Sequence, residues 1–183
     1  MEAGRHREVP KGREEMKSRL LIGVLVLTVL ALVPASATAT DANGNHDTYT
    51  WIVGATTSSA TAIAPDGSTI TMTGSGTLTA GPGNTADGGG TYSLSTGGNG
   101  TFNVTGINSF VSYGPGIAPP VPGAFGGEAK LNVTLDNGAS GVLTIYCLQG
   151  SPPPSKEEGI TVILGTGGQF TKQDGGNTVF VHT

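Results

Sequence analysis

Beyond Ala39, apolar and polar residues alternate at period two, and nowhere do apolar residues recur at i, i+3, i+4 and i+7. That alternation predicts antiparallel strands that bury one face and wet the other. The clearest case is Thr69 to Thr79. Ile70, Met72 and Leu78 fall on one face with Gly74 and Gly76 between them, while a comb of Thr and Ser lines the other. Pro65-Asp66-Gly67 just upstream reads as a tight turn, because Pro presets φ and Gly supplies φ > 0. It should fold Ala60–Ala64 back as the first arm of a hairpin.

The same logic predicts strands at Tyr49–Val53 and Thr91–Leu94, with Gly81–Gly90 a loop. Gly100–Tyr113 is too long for one plain strand. Its apolar parity changes between Val104 and Ile107, which places a bulge or bend near Gly106. The four prolines of Gly114–Gly123 make that stretch a loop. Ala129, Leu131, Val133 and Leu135 share a face, and Asp136-Asn137-Gly138 turns the chain into Gly141–Leu148. Gly159–Leu164, Gly168–Lys172 and Asn177–His182 complete the pattern, the last two joined by Asp174-Gly175-Gly176. About eight to ten strands with no helix predict an all-β fold, an antiparallel β-sandwich or a small β-barrel.

The N-terminal stretch follows a different rule. Lys17 and Arg19 precede the apolar run Leu20–Leu32 (LLIGVLVLTVLAL), and Ala37-Thr38-Ala39 supplies a small-x-small cleavage signature. Thirteen residues of helix reach about 20 Å, short of a hydrocarbon core of about 30 Å. Residues 1–39 therefore read as a leader and a cleavable signal-peptide helix, with an uncleaved anchor as the alternative. Gly12-Arg13-Glu14-Glu15 is encodable by purines alone, as a ribosome-binding site would be, so translation is expected to start at Met16. Residues 40–48 read as a flexible linker and 49–183 as one all-β domain, secreted to an extracellular or periplasmic space.

Composition sharpens this picture. Beyond Ala39 the chain keeps three lysines, no arginine and nine carboxylates, a formal net charge of −6. Without a basic patch it cannot neutralise phosphates, which disfavours nucleic acid and, once the signal is cleaved, anionic membranes. The rest is glycine-rich, threonine-rich polarity. Cys147 is the lone cysteine, so no intrachain disulfide forms. Its parity with Leu143 and Ile145 makes it a buried thiol rather than a nucleophile.

Few residues suggest chemistry. Asp41, Asn43, Asn45 and Asp47 place oxygens at alternate positions, as calcium loops do. His46 and Ile52 stand where an EF-hand needs Gly and Glu, so no metal is expected there. Asp66, Asp136 and Asp174 suit turns, Glu157-Glu158 follows a proline loop, and Glu128 shares a wet face with Lys130. No acid, base and nucleophile converge, which points away from an enzyme, and no cofactor is implied. Trp51, Tyr92, Tyr113 and Phe125 are the candidate ligand-binding residues, as a stacking platform for sugar rings.

Gly88-Gly89-Gly90-Thr91-Tyr92, Ser109–Gly114, Leu143–Cys147 and Glu158-Gly159-Ile160 together resemble an uncharacterised group of small exported bacterial β-rich proteins. The resemblance spans roughly residues 60–181 and implies a bacterial cell exterior, without any activity to transfer. The expected function is an extracellular or cell-envelope binding module for a glycan or matrix ligand. Two alternatives are a small-barrel enzyme or lipophilic-ligand carrier, and an envelope or matrix protein that forms homo-oligomers through Asn177–His182. Another envelope protein would then be a partner.

Overall fold

A computed structural model describes residues 46–54, 58–116, 121–166 and 168–183. The signal-peptide expectation and Asp41, Asn43 and Asn45 lie outside the described residues. Those described are all-β, with twelve antiparallel strands and no helix. In chain order the strands are β1 (Asp47–Val53), β2 (Ala60–Ile63), β3 (Thr69–Ala80), β4 (Thr85–Ala86), β5 (Gly89–Leu94) and β6 (Asn99–Pro115). They continue as β7 (Ala124–Leu135), β8 (Ser140–Cys147), β9 (Gly159–Leu164), β10 (Gly168–Phe170), β11 (Lys172–Gln173) and β12 (Thr178–His182). The count exceeds the expected eight to ten mainly because two-residue strands, β4 and β11, carry too few residues to show a period.

Both predicted hairpins form. Gly67 takes φ +84° while Asp66 Oδ1 accepts from the Ser68 amide at 2.9 Å, setting β2 against β3. Gly138 takes φ +87° and the Asn137 side chain caps Ala139, setting β7 against β8. The β6 ladder to β7 slips between Val104 and Gly106, at the expected bulge, and again at Ile107/Ser109 and Ser112/Gly114.

Asp174-Gly175-Gly176 joins the last strands of the chain without pairing them to each other. β11 pairs with β2, and β12 pairs with β1 and β7. The intervening backbone bonds to β2 instead, Asp174 N–H donating to Thr61 O and Thr61 N–H to Gly175 O. β11 and β12 thus follow β2 and β1 as one interrupted ladder. The strand read as an open edge, Asn177–His182, pairs with β1 along Thr178–His182 and with β7 at Phe180 and Val181.

The pairings β1–β3–β5–β6–β7–β12–β1 return to their starting strand. One main core gathers the inward face of these strands and of β8 and β9. Trp51, Phe102, Phe180, Ile70, Leu131, Leu143 and Ile145 are all at most 1% exposed there. Gly74 and Gly76 share the inward face of β3 with Met72 and Leu78. A Cβ at Gly74 would sit 2.9 Å from the Phe102 ring, and one at Gly76 would sit 2.7 Å from the Trp51 ring. The two glycines leave room for rings donated by β6 and β1.

Candidate functional site

The four candidate aromatic residues occupy three environments. Trp51 is fully buried, and its indole N–H donates to Asp87 O at 3.0 Å. Tyr92 is 5% exposed, its hydroxyl donating to Asp136 Oδ1 at 3.2 Å. Phe125, half-buried, meets Tyr49 and His182 at ring distances of 5.6 and 5.4 Å. Tyr113, also half-buried, donates to Glu128 Oε2 at 3.3 Å. Trp51 and Tyr92 are packed in the core, while Phe125 and Tyr113 belong to separate clusters.

Glu128 is the centre of the second cluster. Its carboxylate receives Lys156 Nζ at 2.7 Å and Lys130 Nζ at 3.4 Å, with Tyr113 as third donor. Burial works to raise its pKa, but the hydrogen bond and charge of Lys156, joined by Lys130, win and hold it below 4.5. Burial first, then the Glu128 charge, pushes the Tyr113 hydroxyl up to about 12. Lys156 also lies 5.1 Å from the centre of the Tyr146 ring. The β7–β8 register sets Glu128 directly across from Tyr146. Counting back from the Asp136-Asn137-Gly138 turn would have given that pairing. Lys156, arriving from the proline loop, had no such signal.

The outer faces of β3, β5 and β6 carry the other arrangement. Adjacent-strand pairing aligns Thr71 with Ser93 and Asn99 in one row, and Thr73 with Thr91 and Thr101 in the next. The Thr comb of β3 therefore continues onto two further strands. Thr73 and Thr91 hydroxyls lie 2.9 Å apart, and β2 extends the first row through Thr61, 3.1 Å from Thr71. An open groove of about 550 Å³ runs over these side chains. Its lining contains hydroxyls and an amide, although most of the surface it exposes is apolar carbon, and no ionisable side chain except the buried Tyr92. Asp136 bounds one end, accepting from the Thr101 amide at 2.8 Å.

No family model, curated protein or solved structure matches this chain. The residues alone must therefore carry the reading of the site.

Among the described residues no group of three or more His, Cys, Asp or Glu side chains is placed to hold a metal ion. Asp47 is the one member of the alternating oxygen series that is described, and it lies 3.5 Å from His182. Glu158, which sequence assigned to a solvated loop, instead accepts from the amides of Leu148 at 2.6 Å and Thr178 at 3.0 Å. It ties the proline loop to β8 and β12, a structural rather than a binding task. Cys147 is 1% exposed, and burial pushes its thiol up to about 11. Native protein at pH 8 is thus expected to resist a thiol-labelling disulfide reagent, and protein in denaturant to react fully. Rapid labelling of the native chain would show that the site opens.

Proposed function

We propose that this chain is an exported, non-catalytic β-domain whose outer β3–β5–β6 face binds a neutral, hydroxyl-rich ligand, a glycan of the cell surface or matrix. The observation that carries the reading is the uncharged groove lined by Thr71, Thr73, Thr91, Ser93, Asn99 and Thr101. Hydroxyl and amide side chains both donate and accept, as sugar hydroxyls do. They also lose water at far less cost than ions would. The ring of strand pairings supports a small closed barrel, and the many fully buried large side chains of its core favour the outer face over an internal ligand chamber. The paired state of β12 weakens the self-assembly alternative through that strand.

Glycan-array binding by wild type and by a Thr91→Val, Ser93→Ala double variant tests the proposal. Both changes are at exposed strand positions and leave the core intact. Two hydrogen bonds worth about 1 kcal/mol each predict a loss of roughly tenfold or more in affinity, with an unchanged melting temperature. Absence of binding to any neutral glycan, or equal binding by both proteins, would overturn it.

A further inference from the structure

The chain beyond Ala39 has three lysines and no arginine, yet all three gather on neighbouring parts of the fold. Lys130 and Lys156 share Glu128. Lys156 and Lys172 line one groove of about 410 Å³, formed over Tyr146 of β8 and Thr161 of β9 by the proline loop and the segment leading into β11. Glu128 and Tyr146 hold the Lys156 ammonium in place, so its orientation costs little side-chain entropy when a ligand arrives. Lys172 is exposed and has no ion-pair partner among the described residues.

Charge and lining together define the ligand. The lining itself holds Lys156 and Lys172 against Glu157, a formal charge of +1 that suits a monoanion, with Glu128 pairing Lys156 from outside the groove. The remaining wall is neutral and rich in hydrogen-bonding groups, with the hydroxyls of Ser155, Thr161 and Thr171 and the Gln173 amide. A phosphate dianion would leave one charge unmatched and most of these hydroxyls unused. We infer that this groove binds a carboxylate-bearing sugar, its carboxylate on Lys172 and Lys156 and its hydroxyls on the neutral wall. The site is separate from the uncharged groove of β3, β5 and β6 and does not rest on it.

Amide chemical shifts of the protein, titrated at low ionic strength with the monoanion galacturonate, with its methyl ester and with inorganic phosphate, test the inference. The ester keeps the sugar and removes the charge. Galacturonate is expected to shift the amides of Thr161, Lys172 and Gln173, the ester and phosphate to do so at least several-fold more weakly. Lys172→Ala should weaken galacturonate binding about fivefold, and Lys172→Arg should restore most of it. The Thr91→Val, Ser93→Ala variant should bind it like wild type, which separates this site from the neutral one. Equal binding of acid and ester, equal binding of phosphate, no shift with galacturonate, or indifference to Lys172→Ala would each overturn the inference.

Discussion

Gly76→Ala is expected to cost about 3 kcal/mol of stability, at the upper end for overpacking a core. Gly76 lies on the inward face of β3, where an added methyl would stand 2.7 Å from the Trp51 ring and meet the backbone carbonyl of Asp87. Trp51 cannot swing clear, since it is fully buried and its indole N–H is bonded to that same carbonyl. Relief must come from backbone movement, which breaks ladder hydrogen bonds on either side of β3. Urea unfolding followed by Trp51 fluorescence measures the loss. Gly165→Ala is the control, because its nearest neighbour would be Ser140 O at 3.4 Å, and it should change stability by less than about 1 kcal/mol. Equal urea midpoints for Gly76→Ala and wild type would mean that β3 yields more easily than its packing implies.

A loss of similar size is expected from Glu158→Ala, by a different route. The Glu158 carboxylate receives the Leu148 amide on one oxygen and the Thr178 amide on the other, with the Thr178 hydroxyl 2.7 Å away. Thr178 is 6% exposed, so water does not readily replace the lost acceptor. Two unpaired amides at about 1–3 kcal/mol each predict roughly 3 kcal/mol, or about 10 °C in melting temperature for a domain of this size. Glu158→Gln keeps one acceptor oxygen and should lose about half as much. Thermal unfolding followed by circular dichroism gives the totals. Hydrogen exchange should show the Leu148 and Thr178 amides losing protection first. If those two amides stay protected in Glu158→Ala, some other group has taken over their pairing.

Both effects show where local pattern stops being informative. Alternation, turn residues and the parity change near Gly106 were enough to determine an all-β antiparallel chain, its two hairpins and the bulge of β6. These depend on neighbours within a few residues, through backbone sterics and the two-residue period of a strand. The same parity placed Cys147 inside. The Thr comb of β3 was visible as well, but only as one strand.

Long-range pairing decided the rest. Glu128 was read as a wet-face residue because its own strand shows only Lys130 beside it. Lys156 and Tyr113 reach it from a proline loop and from β6, and Tyr146 sits across the ladder. Gly74 and Gly76 looked like gaps in an apolar face until Phe102 and Trp51 filled the space they leave. Asp174-Gly175-Gly176 carries strong turn chemistry, yet the hydrogen bonds between Thr61 and its backbone hold it against β2, and so β12 is paired rather than an open edge. The sequence alone determined local geometry, since sterics and periodicity act between near neighbours. Tertiary structure decided which strands became partners, because closing the ladder depends on burial and hydrogen bonding summed over residues more than a hundred positions apart, as between Tyr49 and His182.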